Sequence, residues 1–290
     1  MSAVVSIVIP YHNAEETLAR CCASLAAQEG DVDFEAILVD DASTDGSAQI
    51  GIDVVRSDRR MCLVQKEEHT GLVDALNLGL QSASGEWLCF FDVRDWFAPA
   101  ALDSLRRAAL SPSCSIAVAG FYRVEGGRFE RKDAPDLGLV SRSWFVKLMA
   151  EHPSDLYFSS VWNKLFRRSF VSEYGLSFDG DLSAGAEYAF VLDCLRCADR
   201  VATVSEPMLY RTCPASSLAD EGWSQGPSRQ ERREAYPSYL RLLDEVGLYE
   251  DGAQSLRRRM FLSDVAGDAG VSMYADDLDS AAVPGADDVS

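Results

Sequence analysis

Basic residues are scarce in this chain. Across 290 residues, 27 lysines and arginines stand against 46 aspartates and glutamates, a formal net charge of −19. That deficit argues against a general grip on nucleic acid or anionic lipid unless the few cations cluster. No apolar run approaches the ~20 residues that cross a bilayer, and no basic segment followed by an apolar one opens the chain. Membrane spanning and export are therefore not expected, and a cytoplasmic location is. A disulfide framework is not expected either. Of the eight cysteines, Cys62, Cys89 and Cys114 sit inside core-like runs, and Cys21 and Cys22 are neighbours in a helical pattern, which suits a reducing compartment. Cys194 and Cys197 form an isolated C-x-x-C with no second pair at zinc-site spacing, so they read as small apolar helix positions. No internal repeat is present. The remaining composition, 47% apolar and 25% charged, is that of an ordinary globular protein with material for one large α/β domain plus an appendage.

Three blocks carry the most information. Val4 to Asn13, Ala36 to Ser47 and Trp87 to Trp96 each begin as a continuous apolar run and end in carboxylates, amides or an aromatic ring. A run that is apolar throughout reads as a strand covered on both faces, hence a largely parallel sheet with helices on either side. In open sheets of that kind, ligands bind beyond the carboxyl ends of the strands. The strands are expected near 4–9, 34–39, 61–65 and 87–91.

Between them, Asn13 and Glu16 read as a capping pair for a helix carrying Leu18, Cys22 and Leu25. Leu72, Leu76 and Leu80 mark one face of another helix, and Pro99 suits the first turn of a third that carries Leu102 and Leu105. Further on, Ser115 to Val124 reads as a strand turning at Gly126-Gly127 into a partner. Ser141 to Ala150 and Ala186 to Ala198 read as helices, and Val201 to Val204 and Met208 to Arg211 as two short strands.

Taken together, the three blocks resemble the nucleotide-sugar domain of family 2 inverting glycosyltransferases, the GT-A fold, over about Val4 to Leu218. The resemblance implies a 1–224 transferase-like domain, split into a nucleotide-binding half (1–110) and an acceptor half (111–224). It also implies a nucleoside pocket at Pro10, Tyr11, Asp40 and Asp41, with Tyr11 against a uracil face and Asp41 accepting the base N–H. Taken singly, Asp40 and Asp41 are also ordinary turn caps. Gly71, in the loop Glu68 to Asn77, lets the backbone approach the ligand. There His69 and Leu76 replace an asparagine and an arginine of the family pattern.

The largest departure is Asp92-Val93-Arg94-Asp95. It stands where the family places its D-x-D metal motif, with Arg94 in place of the second carboxylate. A divalent cation (Mn²⁺ or Mg²⁺) on Asp92 and Asp95 is the cofactor implied. An arginine about 5 Å from such an ion would be repelled by roughly 6–7 kcal/mol at an effective dielectric of 20, which sets Arg94 against it. Three arrangements stay open: Arg94 turned to solvent beside an ion, Arg94 replacing the ion on the diphosphate, or a site that no longer turns over. Asp95 also suits a helix cap.

Glu187, in Gly185-Ala186-Glu187, matches the family's Gly-Glu-Asp segment and is the candidate catalytic base. The segments Trp162-Asn163-Lys164-Leu165-Phe166 and Glu206 to Arg211 keep the register. The function implied is transfer of a sugar from a nucleotide-sugar, UDP-linked, to a saccharide or lipid-linked saccharide. The rival is an inactive transferase-like binding module.

From about residue 225 to 275, Arg229, Arg232, Arg233, Arg241 and Arg257 to Arg259 alternate with Leu240, Leu243, Val246, Leu248, Leu256 and Phe261. This reads as two helices broken near Gly247: a packing hairpin, or a peripheral membrane dock through 229–261 at the inner membrane face. Residues 276–290 are small and acidic and are expected to be a disordered tail.

Overall fold

The structure is a computed structural model, and it describes residues 5–212, apart from 31, 112, 134, 136, 153 and 154, together with residues 229–248. The expected strands and helices alternate along its first half. They are β1 Val5–Tyr11, α1 Leu18–Ala26, β2 Phe34–Asp40, α2 Ser47–Ser57, β3 Met61–Gln65, α3 Leu72–Ser82 and β4 Trp87–Phe90. The four strands lie in the order β3-β2-β1-β4, every neighbouring pair parallel. Every residue of β1 and β4 is buried, as a strand covered on both faces requires. Successive right-handed crossovers put the carboxyl ends of these strands on one side.

The sheet continues through β9 (Lys164–Arg167), β6 (Cys114–Glu125), β10 (Arg200–Thr212) and β5 (Trp96–Phe97), with β7 (Arg128–Lys132) on β6 and β8 (Leu139–Ser141) on β10. β9 runs antiparallel to β4 and β6, whereas β10 runs parallel to β6. The result is a single mixed, mostly parallel sheet flanked by α4 (Ala101–Ala108), α5 (Arg142–Glu151), α6 (Leu156–Ser159), α7 (Arg168–Glu173) and α8 (Ala186–Cys197).

Several local expectations fail for identifiable reasons. Asn13 does not cap α1. It sits at φ 51°, its Oδ1 accepts the Thr44 N–H at 2.8 Å, and α1 begins only at Leu18. Ala14 N–H donates to Ser47 Oγ (2.7 Å) and Gly46 N–H to Glu15 Oε2 (2.8 Å). The loops after β1 and β2 are thus bonded to each other. In α3 the buried face is Ala75, Leu76 and Gly79, while Leu72 is half exposed. A Cβ on Gly79 would stand 2.2 Å from Val8 Cγ1, so the helix crosses β1 through its glycine and rolls Leu72 outward.

Pro99 precedes α4 by two residues instead of opening it. The two short strands near 201–211 are one strand, β10, whose register against β6 slips around Pro207, a residue with no N–H to give.

The next helix, α9 (Arg229–Glu245), carries Pro237 internally. It buries Ala235, Tyr239, Leu242 and Leu243 in the same core as the sheet. Its end is a Schellman turn: Gly247 has φ 71°, its N–H meets Asp244 O, and Leu248 N–H meets Leu243 O at 2.9 Å. The expected second helix beyond Gly247, with Arg257 to Arg259 and Phe261, and the acidic tail 276–290 lie outside the described residues. No described helix is long and apolar enough to cross a membrane.

Candidate active site

At the carboxyl ends of β1, β2 and β4 lies a cavity of about 1010 Å³. Pro10, Tyr11, Asp41, Asp92, Arg94 and Glu187 line it, so six of the sequence-derived candidates share one space. Asp40, Gly71 and Asp95 do not line it.

The Tyr11 ring faces the cavity, but its Oη is buried without a hydrogen-bond partner, beside Gly51. Burial and then the nearby Asp40 charge push its phenol well above the usual range. Asp40 is 2% exposed, and its Oδ1 accepts the Ser43 N–H at 2.9 Å, closing the turn that follows β2.

Asp41 organises the loop after β3. Its Oδ1 accepts from Lys66 Nζ (2.5 Å) and Thr70 N–H (3.1 Å), and its Oδ2 accepts from Gly71 N–H (2.8 Å). His69 Nδ1 stands 2.8 Å from the same Oδ2. Burial alone would raise this carboxyl, but the Lys66 ammonium and the two backbone donors hold it below its ordinary value. The His69 ring lies against His12, with centroids 4.0 Å apart, and His12 Nδ1 is 2.8 Å from the Asp41 carbonyl oxygen. Gly71, at φ 100°, allows the backbone to turn its N–H onto Asp41.

Beneath β4, two guanidinium groups meet two carboxylates. Arg94 Nε and Nη2 reach Asp92 Oδ1 and Oδ2 at 2.9 and 2.5 Å, and Arg94 N–H also donates to Oδ1 at 2.9 Å. Arg211, from the end of β10, places Nη1 2.9 Å from Asp92 Oδ2 and 2.7 Å from Asp95 Oδ2. Asp95 is fully buried and also accepts the Thr212 N–H at 2.9 Å. The two acids consequently diverge. For Asp92, burial is outweighed by Arg211 and Arg94, which hold it far below the carboxylate range. For Asp95, burial and the Asp92 charge prevail over Arg211 and raise it to about 6.

The carboxylates that would hold a divalent ion, Asp92 and Asp95, are here bonded to arginine. Both oxygens of Asp92 are taken by cations, Asp95 Oδ2 shares Arg211 Nη1 with Asp92 Oδ2, and among the described residues no group of three or more His, Cys, Asp or Glu is arranged to hold a metal.

Glu187, in the first turn of α8, faces the same cluster. Burial first, then the charges of Asp92 and Glu231, raise its carboxyl to about 7 against the pull of Arg211 and Arg94. Arg211 also lies over the Trp162 ring, 4.8 Å from its centroid, and Trp162 meets Phe121 edge-on. The cavity wall beyond Glu187 is formed by Ser159, Ser160, Trp162, Ser183, Gln230 and Glu231.

The sequence gives no site role to Arg211 or Glu231. Arg211 has a signal, since it ends the Glu206 to Arg211 segment that keeps the family register. Glu231 has none, because it belongs to α9, beyond the region of resemblance.

A family profile described as Glycosyl transferase family 2 matches residues 6–175, more than half of the chain. The chain belongs to this family. It is 31% identical to the uncharacterized glycosyltransferase EpsJ of Bacillus subtilis over 221 residues, 74% of this chain and 63% of that protein. The chain therefore spans less than two thirds of that curated relative. Its fold is similar to the S. aureus TarS fragment 1–349 in complex with UDP-GlcNAc, with TM-score 0.66 and 20% identity, covering 90% of this chain and 71% of that one. It is also similar to the mannosyltransferase PcManGT from Pyrobaculum calidifontis in complex with GDP-Man and Mn²⁺, with TM-score 0.59 and 17% identity over 97% and 79% of the two chains. These likenesses establish the GT-A type of mixed α/β fold. Glu187, Arg211 and Glu231 all lie beyond the segment matched by the family profile.

Proposed function

We propose that this chain is an inverting glycosyltransferase that moves a sugar from a UDP-sugar to a hydroxyl of a saccharide acceptor. The observation that carries the reading is that one cavity joins the nucleoside half, Tyr11 and Asp41, to a carboxyl raised to about 7 on α8. A general base poised near the working pH is what deprotonation of a sugar hydroxyl requires. In a single displacement, Glu187 takes the acceptor proton and the acceptor oxygen bonds the anomeric carbon. The bond from that carbon to the diphosphate oxygen breaks, and UDP leaves with the electron pair.

No step is routed through a metal ion. Arg94 and Arg211, which line the cavity beside Asp92, are the cations available to the departing diphosphate. Tyr11 supplies an aromatic wall for the base, and Asp41, through the loop from Lys66 to Gly71, shapes its edge.

The wall beyond Glu187 offers hydroxyls, an amide, an indole face and carboxylates. This supports an uncharged saccharide at the reacting end of the acceptor over a phosphate-bearing one. A lipid-linked acceptor and a membrane dock through 229–261 draw no support from α9, where Arg232 is buried and Arg241 turns toward Asp193. The alternative, a binding module without turnover, is favoured by one observation, the closure of Asp92 by Arg94. UDP release from a panel of UDP-sugars with neutral oligosaccharide acceptors tests the proposal. Tight UDP binding without release or transfer for any pair would favour the binding module, and no UDP binding at all would remove both.

A further inference from the structure

The helix that carries Glu187 is held at its start by the helix that follows it in space, and the contact is concentrated on one side chain. Glu234 Oε2 accepts three consecutive backbone N–H groups, those of Ser183 (3.0 Å), Ala184 (2.9 Å) and Gly185 (2.8 Å). Its Oε1 accepts from Ser183 Oγ (2.9 Å) and Gln230 Nε2 (2.9 Å), and Gln230 Nε2 also reaches Ser183 Oγ at 3.2 Å. Three convergent backbone donors form an anion nest, and here the anion comes from another helix. Burial acts against the charge, but these donors outweigh it and bring the Glu234 carboxyl down to about 2, so it is ionised at any working pH.

The approach of the helices is as close as the backbone allows. A Cβ on Gly185 would stand 2.5 Å from Glu234 Cβ and 2.8 Å from the Glu231 carbonyl oxygen. Gly185 is also the residue before the first turn of α8, two positions ahead of Glu187. On α9, Glu231 and Glu234 are three residues apart and so share a face. Glu231 lines the cavity and Glu234 fills the nest. Lower down, Ser238 Oγ donates to Asp193 Oδ2 (3.1 Å), and Arg196 Nη1 to Glu245 Oε1 (3.0 Å), so α9 clamps α8 along its length.

We infer that Glu234 is a positioning residue for the transfer reaction: by gathering the amides of Ser183, Ala184 and Gly185 it fixes the first turn of α8 and aims Glu187 at the cavity. This rests on the transferase reading above. Without the carboxylate, three backbone donors lose their common acceptor at the point where α8 begins, and the direction of Glu187 is no longer set. The α9 helix, which lies outside the segment matched by the family profile, is thereby part of the active site.

The test compares the wild type with Glu234→Ala and Glu234→Gln, the latter keeping an amide oxygen for the nest. Glu234→Ala should lower kcat about 10- to 100-fold, the range for a misplaced catalytic group. The KM for the UDP-sugar and the affinity for UDP should stay within about twofold, because no donor-side contact of Tyr11 or Asp41 is touched. Glu234→Gln should recover most of the loss. A second readout needs no turnover: the ¹³C titration of the Glu187 side-chain carboxyl, which Asp92, Glu231, Arg94 and Arg211 face. In Glu234→Ala its midpoint should move from about 7 toward that of a solvated carboxylate, and in Glu234→Gln it should stay. A Glu234→Ala protein with wild-type kcat and an unmoved titration overturns the inference, as does a parallel fall of kcat and UDP affinity. If the wild type transfers no sugar, the functional proposal fails while the titration still decides the role of Glu234.

Discussion

Arg94 grips Asp92 with both arms of its guanidinium, Nε to Oδ1 at 2.9 Å and Nη2 to Oδ2 at 2.5 Å. Because Arg211 reaches the same Oδ2 from the opposite element, Asp92 is saturated by cations and has no lone pair directed at a metal. UDP binding by the wild type should therefore be nearly the same with Mn²⁺ and with chelator. Arg94→Asp should remove that independence: it takes away one guanidinium, adds a carboxylate beside Asp92, and should weaken metal-free binding while creating a Mn²⁺ requirement. Calorimetric titration of UDP under both conditions reads this directly. A wild-type affinity that vanishes on chelation would sink the assignment.

Asp41 makes a different kind of contribution, since it bonds its own loop before any ligand arrives. Removing it strands the N–H groups of Thr70 and Gly71 and leaves the Lys66 ammonium with the Thr70 hydroxyl in place of a carboxylate. Asp41→Ala should weaken UDP by about 1–3 kcal/mol, the usual loss when a partly buried charged hydrogen-bond partner is deleted. Amide exchange across residues 66–71 should quicken in the same variant. Unchanged UDP affinity together with unchanged exchange would take Asp41 out of both roles.

The sheet was legible because its signal is local. Apolar runs bounded by polar turns read as strands, β1 and β4 covered on both faces and β3 at the edge of the sheet, and the right-handed crossover rule then puts Tyr11, Asp41 and Asp92 on one side. What was not legible depends on contacts between segments far apart in the chain. Asn13 looks like a helix cap until the loop after β2 claims its side chain through Thr44. Leu72 looks buried until Gly79 decides which way α3 faces. Arg211 is 119 positions from Asp92, and no periodicity announces that the two meet. Similarly, the partner of the Gly185 nest comes from a helix whose own sequence reads only as amphipathic. The family resemblance pointed to the candidate base and to Asp92 beside it, but that Arg211 and Glu231 also act on it came from the tertiary structure.

Tyr11 offers a steric test of the nucleoside wall. A Cβ on Gly51 would lie 2.6 Å from Tyr11 Oη, so Gly51→Ala must displace the ring. Overpacking of this kind costs about 1–3 kcal/mol. The variant should lose UDP affinity while Tyr11→Phe, which removes only an unpartnered hydroxyl, should keep it and be no less stable. If Gly51→Ala bound UDP as the wild type does, the Tyr11 ring would not be a wall of the site.

The pH dependence follows from Glu187. Its folded-state value, about 7, lies above the ordinary carboxylate value of 4.5, chiefly through burial and then through Asp92 and Glu231. Only the ionised form accepts a proton, so kcat/KM for the free enzyme should climb as pH rises through about 7 and level off above it. Neutralising the like charge in Glu231→Gln should shift that limb to lower pH, whereas Glu187→Gln should abolish it and cut turnover about 10²- to 10⁴-fold with UDP affinity nearly intact.

Stability runs with the opposite sign to activity. Between pH 4.5 and about 7 the folded state holds a proton that the unfolded chain has released, so ionising Glu187 in place weakens the fold as pH rises through that window. Glu187→Gln should thus melt higher than the wild type at pH 8 and no higher at pH 4. A pH–rate profile flat from 5.5 to 8.5, with no difference between the two melting comparisons, would mean that Glu187 is not the titrating base.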